Sequence, residues 1–274
     1  MNLKRILTSL IGFPIVVLMI ALGNAPIIDF AIMIIAIICM YEYISIVSKV
    51  CNPIKWVAYL STIIVFLVSV VPDSIMKYIM LFVVPVTLLI LFLHIIISDM
   101  KITFKDVAYT FLGIAYVTGF ITFIGLIVIQ EKGKLALGYT LMTAWATDVF
   151  AYTAGKFFGK HHFSKVSPKK TIEGCIVGAF GATIVGFIYT IIANNVGAIH
   201  LQGIQYLYAI IIPLILGIIS QVGDFTESSI KRFADVKDSG NILPGHGGML
   251  DRIDSVIFIA PFVYVIVKLC FITV

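Results

Sequence analysis

Charge is what this sequence has least of. Only 12% of its 274 residues are Asp, Glu, Lys or Arg, against 61% apolar ones, whereas a soluble domain carries about 25% charged residues. So little charge cannot clothe a surface facing water, which excludes a soluble domain and implies a chain whose outer faces meet lipid. Paired cysteines are missing too. Cys39, Cys51, Cys175 and Cys270 stand singly, without the spacing of a zinc site or a redox motif, and read as small apolar residues in or beside helices. No low-complexity tract, internal repeat or lipidation signal stands out. Nor is there a basic patch interleaved with aromatics that would suggest a nucleic-acid partner.

What the sequence does have is long apolar runs. Stretches that reach or approach the roughly 17–25 residues needed to cross a bilayer lie at 6–23, 27–48, 56–71, 78–98, 107–129, 135–155, 175–193, 204–221 and 255–273. They predict an all-α polytopic membrane bundle of about nine transmembrane helices. Asn24 with Pro26, Asn52-Pro53, Pro72-Asp73, Lys132-Gly133-Lys134 and Asn194-Asn195 punctuate them. The first run follows Lys4 and Arg5, so a signal peptide is the alternative to an anchor. The lack of a clear small-residue cleavage site favours the anchor. With the N-terminus inside, fifteen Lys and Arg fall on the cytoplasmic side and only Lys77, Lys132 and Lys134 outside. By the positive-inside rule, this places both long polar loops, 156–174 and 222–254, in the cytoplasm. The expectation is one domain over 1–274, in which 1–134 supplies N-terminal membrane helices and 135–274 the catalytic helices and loops.

Polar residues are concentrated in those two loops. Within 221–255 lie Asp224, Ser228, Lys231-Arg232, Lys237-Asp238, His246-Gly247-Gly248, Asp251-Arg252 and Asp254. If the eighth helix continues past the membrane edge, Asp224, Ser228 and Lys231 share one face at i, i+4 and i+7. Asp251 and Asp254 share a face at the start of the last helix. Carboxylates from two helix ends would offer the oxygen ligands a hard divalent cation prefers. Gly245, Gly247 and Gly248 would let backbone amides approach phosphate oxygens. The other loop holds Ser167-Pro168-Lys169-Lys170-Thr171, and Asp148 stands inside the apolar run before it. An ionisable residue so placed is a functional candidate, with a buried helix-to-helix hydrogen bond as the alternative.

Several residues have ordinary readings. Lys156, Lys160 and Lys165 satisfy the positive-inside rule without touching a ligand. Arg252 could pair with the neighbours of Asp251 or with Asp238, and His246 could be a satisfied loop residue. Asp235 and Glu227 read as solvated or structural. Glu42, between Tyr41 and Tyr43, reads as a snorkelling or interfacial residue.

From Ser228 to Asp254 the sequence resembles the signature of the phosphatidate cytidylyltransferase family: Ser, any, apolar, Lys-Arg, four residues, Lys-Asp and a small residue, ending in His-Gly-Gly-apolar-any-Asp-Arg-apolar-Asp. Every fixed position is present. The Ser167–Thr171 segment and the Asp148/Tyr152 region are also similar. Ile172 and Phe225 depart from it, each an apolar replacement that touches only local packing.

The resemblance implies transfer of CMP from CTP to phosphatidate, giving CDP-diacylglycerol and pyrophosphate. It further implies dependence on Mg2+ with a second cation open, and it is compatible with a homodimer in the cell membrane. A phosphate monoester has a second pKa near 6, so the nucleophile is already ionised and needs no strong base. The difficulty is bringing two anions together, which calls for a metal and cations. The metal candidates are Asp224, Asp251, Asp254 and Asp148. Lys169, Lys170, Lys231, Arg232, Lys237 and Arg252 are the phosphate-binding candidates. Ser167, Thr171 and Ser228 could donate to phosphate or ligate metal. Asp238, Gly247 and Gly248 belong to the substrate set, and His246 could hydrogen-bond phosphate or assist proton transfer. A transporter suits an intramembrane Asp148, but the charges concentrate in loops. An enzyme acting on another lipid phosphate would carry similar machinery.

Overall fold

Backbone amides inside lipid must be paired within their own segment, so a chain this apolar has helices as its natural solution. The computed structural model describes residues 14–68, 73–164, 166–242 and 247–271, and no strand occurs among them apart from an isolated bridge between His162 and Thr171. Residues 14–22 are helical. They are followed by α1 (Ala25–Val47), α2 (Lys55–Val68), α3 (Asp73–Ile97), α4 (Phe104–Gly113) and, after a π-helical turn at Ile114–Gly119, α5 (Phe120–Val128). Next come α6 (Gly133–Phe158), α7 (Ile172–Asn195), α8 (Gln205–Phe233) and α9 (Leu250–Phe271).

The chain is a polytopic, helical membrane protein. Four segments, Ala25–Val47, Phe104–Val128, Ile172–Asn195 and Gln205–Phe233, are long and apolar enough to cross a bilayer. The expected count of nine spans is looser than the helices themselves. At 14 residues, α2 rises only about 21 Å against a hydrocarbon core of about 30 Å. α6 and α9 have the length but carry Asp148 and Lys156, and Asp251, Arg252 and Asp254. Residues 6–13 of the first expected run, 6–23, lie outside the described residues.

Two compact units emerge, Met1–Glu131 with Ile230–Ile253, and Lys132–Ser229 with Asp254–Val274. In the first, α1 is the centre. Ile28, Ile32, Ala36, Met40, Tyr43 and Val47 recur every three to four residues and are all buried, which is one helical face packed against neighbours. Asn24 caps this helix by accepting from the Ile27 amide. The α4 start has a capping box, in which Thr103 and Asp106 satisfy one another's backbone amides. Asp106 also accepts from the Asn52 amide at 2.6 Å, which pins the α1–α2 connection. Tyr43 donates to the Tyr109 carbonyl at 2.9 Å. Thr62 and Thr118 share a hydroxyl hydrogen bond at 2.7 Å, joining α2 to the π-helical turn.

In the second unit, α6 and α7 form an antiparallel hairpin. Tyr189 near the end of α7 donates to the Leu135 carbonyl near the start of α6. The two helices approach closely because α7 presents small residues. A Cβ on Gly178 would lie 2.8 Å from that of Ala151, and one on Gly181 only 2.2 Å from the Phe150 ring. This is how membrane helices gain contact where lipid supplies no hydrophobic drive.

Candidate functional site

α8 continues well past its apolar run, and Asp224, Ser228 and Lys231 lie on it as anticipated. A Schellman closure ends the helix: the Val236 amide donates to the Lys231 carbonyl and the Asp235 amide to the Arg232 carbonyl, with Asp235 left-handed at φ 52°. Asp235 is thus a structural turn residue that releases the chain into 236–249. α9 starts at Leu250, and its preceding residue is Met249, whose thioether cannot cap a helix.

In the first unit, Asp251 is the hub of the loop. Its Oδ1 accepts from Lys231 Nζ at 2.6 Å. Its Oδ2 accepts from the amides of Ser239 at 3.0 Å and Gly248 at 2.9 Å. The Gly248 amide, expected to face phosphate, is therefore held by Asp251. Gly247 is left-handed at φ 83°, which suits glycine alone. Beside this hub lies a residue that sequence reasoning read otherwise. Glu42 is not interfacial but fully buried. It accepts from the amides of Met249 at 2.9 Å and Leu250 at 2.8 Å, and from Ser239 Oγ at 3.3 Å. The signal that could have found it is the one that flagged Asp148: a charge inside an apolar run needs a reason. Arg232, Arg252, Lys237 and Asp238 are exposed, and Arg232 Nη1 lies 3.4 Å from the Val236 carbonyl. His246, with Gly245, falls outside the described residues.

In the second unit, Lys170 of the 156–171 loop forms an ion pair with Asp224 of α8. Its ammonium also stands 4.3 Å from the centroid of the Phe225 ring, a cation–π contact, and Phe225 stacks on Phe163 at 4.7 Å. Phe225 is therefore more than a packing substitution. Asp254 is buried on α9, close enough to Asp224 and Asp148 to experience both their charges, with Lys170 as the opposing one. Asp148 is exposed on α6. Thr171 caps α7 by accepting from the Gly174 amide at 3.2 Å, a structural use of a hydroxyl expected to face substrate. The Ser167 carbonyl accepts from the Lys170 amide. Ser167 and Ser228 are half-buried, and Lys169 is exposed. His161 Nδ1 meets Glu173 Oε1 at 2.6 Å, and Glu173 Oε2 accepts from the Lys160 and His161 amides, which closes the tip of the hairpin.

Next to the Lys170 pair runs a groove of about 580 Å³, lined among others by Phe163, Cys175, Ile176, Ile218, Val222 and Phe225. Its wall is almost wholly apolar, and the Lys170 ammonium sits on one of its aromatic residues. This arrangement can hold an anion at its rim and hydrocarbon along its length.

The model of the cytidylyltransferase family matches residues 3–270. The chain belongs to the cytidylyltransferase family. Within it, a phosphatidate cytidylyltransferase of Bacillus subtilis is 40% identical over 151 residues, 55% of this chain and 54% of that one. One from Synechocystis is 46% identical over 126 residues, covering 46% of this chain and 40% of the relative. One from Thermotoga maritima is 38% identical over 154 residues, 56% of each. The chain thus matches about half the length of these curated cytidylyltransferases.

As for a metal, the donor set of Asp148, Asp224 and Asp254 has the right chemistry, since hard cations take carboxylate oxygens and mutually repelling carboxylates are relieved by one. Among the described residues, no three His, Cys, Asp or Glu side chains are gathered into a ligand shell as they stand. Lys170 holds Asp224 instead.

Proposed function

We propose that this protein is a phosphatidate cytidylyltransferase that transfers CMP from CTP to phosphatidate, giving CDP-diacylglycerol and pyrophosphate. The observation that carries the reading is the meeting of Lys170 with Asp224. It brings the Ser167–Thr171 segment against α8 one turn before the signature begins at Ser228, at the rim of an apolar groove. A lipid phosphate requires that combination, an anion site continuous with room for hydrocarbon.

In this reading a phosphate oxygen of phosphatidate attacks the α-phosphorus of CTP. The bond from that phosphorus to the bridging oxygen breaks, and pyrophosphate leaves with the electron pair. Lys170, with Lys169 beside it, neutralises phosphate charge, while Lys231, Arg232, Lys237 and Arg252 serve the triphosphate. Such neutralisation and alignment is the main task in phosphoryl transfer. Asp148, Asp224 and Asp254 would hold a divalent cation, with Asp251 the fourth candidate. When bound, it screens the phosphates and polarises the reacting phosphoryl group. The excess of Lys and Arg in 156–174 and 222–254 supports a cytoplasmic position for both loops, where CTP arrives from water and phosphatidate from the leaflet.

The test uses purified protein in detergent with labelled CTP and phosphatidate, with and without Mg2+. Wild type is expected to form labelled liponucleotide only with Mg2+, and Asp224→Asn and Asp251→Asn to lose at least a hundredfold in rate, about 2.7 kcal/mol of barrier. Absence of liponucleotide from wild type, or full activity in both variants, would sink the reading. A panel of other lipid phosphates decides the acceptor.

A further inference from the structure

We propose that Glu42 is a positioning residue for Asp251, holding the glycine-containing loop and the first turn of α9 in register from 207 residues away. This rests on the functional reading above, in which Asp251 serves the phosphates or their cation.

A helix start needs partners from outside the helix. Its first amides have no partner inside the helix, and the usual remedy is a Ser, Thr, Asp or Asn just before it. Here that place is held by Met249. Asp251 reaches back to the Gly248 amide, which leaves the Met249 and Leu250 amides to be satisfied. Glu42 takes one on each carboxylate oxygen. A carboxylate at a helix N-terminus also sits at the favourable end of the helix dipole.

Glu42 and Asp251 are then tied by one residue. Ser239 gives its amide to Asp251 and its hydroxyl to Glu42. The surroundings are shaped to the Glu42 carboxylate: a Cβ on Gly240 would lie 2.6 Å from Oε1, and one on Gly248 2.7 Å from Oε2. Neighbouring Tyr43 uses its hydroxyl elsewhere, on the Tyr109 carbonyl of α4. Apart from its pair with Lys231, the attachments of Asp251 through Ser239, Gly248 and its own helix turn all run against Glu42. Outer residues that orient charged ligands in this way are commonly worth 10- to 100-fold in activity or metal affinity.

The experiment compares full-length wild type, Glu42→Gln and Tyr43→Phe in detergent. Glu42→Gln preserves shape but replaces one acceptor by a donor facing an amide. The expected result is a kcat lowered 10- to 100-fold, a KM for CTP within about twofold, and a raised Mg2+ requirement. A second readout needs no substrate or metal: hydrogen–deuterium exchange over 239–252 should quicken in Glu42→Gln and stay unchanged in Tyr43→Phe, which should also keep its kcat. A kcat unchanged in Glu42→Gln would overturn the proposal. So would a lowered kcat accompanied by faster exchange throughout α1–α5, since that marks general loosening. If wild type makes no liponucleotide, the functional reading falls, while the exchange comparison still decides whether Glu42 holds the segment.

Discussion

Gly248 lies against Glu42 so closely that a methyl group on it would sit 2.7 Å from Glu42 Oε2 and 2.0 Å from Ser239 Oγ. The carboxylate comes from α1 and the glycine from the loop before α9, so the contact fixes the signature loop onto α1 within the first unit. A glycine here is needed for space. The carboxylate is fully buried and held by two backbone amides as well as the Ser239 hydroxyl, so it cannot yield cheaply.

Gly248→Ala is therefore expected to destabilise the protein by about 1–3 kcal/mol, the usual cost of overpacking, and to lower its melting temperature in detergent. Gly119→Ala is the comparison. Its nearest neighbour to a new methyl is the Ile114 carbonyl at 3.7 Å, so its melting temperature should stay within experimental scatter of wild type.

Thr171→Ala should cost about 1 kcal/mol through loss of the α7 cap, because the hydroxyl accepts from the Gly174 amide. Thr171→Ser keeps the cap and should restore most of the melting temperature. If Thr171→Ala melted with wild type, the cap would contribute nothing.

Removing the Lys170 ammonium leaves Asp224 and Asp254 to repel each other with less opposing charge. Lys170→Met, close in shape, is expected to lower kcat/KM for phosphatidate at least tenfold, about 1.4 kcal/mol, while a soluble short-chain phosphatidate suffers the same loss. A variant with undiminished kcat/KM would separate Lys170 from the lipid phosphate.

Orientation is checked with a cysteine at exposed Asn241. Asn241→Cys should react with a membrane-impermeant maleimide in inverted vesicles and stay protected in right-side-out cells. Reaction from outside the cell would reverse the assignment of both loops.

Much of this architecture is legible in the sequence, because lipid leaves few options. Apolar runs of the right length become helices, and α1, α6 and α7 begin within three residues of the expected starts. The motif residues on α8 share one helix as expected, since only Pro213, Gly217 and Gly223 weaken helical propensity between Gln205 and Phe233. What escaped was non-local. The π-helical turn at Ile114–Gly119 has no simple sequence mark. The cap of α9 escaped because its carboxylate is supplied by another helix, while local rules search only the neighbouring residues.

By itself, then, the sequence determined that this is a helical membrane protein and which residue types carry its chemistry, since hydropathy and motif spacing are properties of a linear chain. Only the tertiary structure decided which partner each charged group takes: Lys170 with Asp224, Lys231 with Asp251, and Glu42 with the amides at the head of α9. A buried charge must be matched wherever the fold brings a counterpart, and that proximity is written in the packing of distant segments.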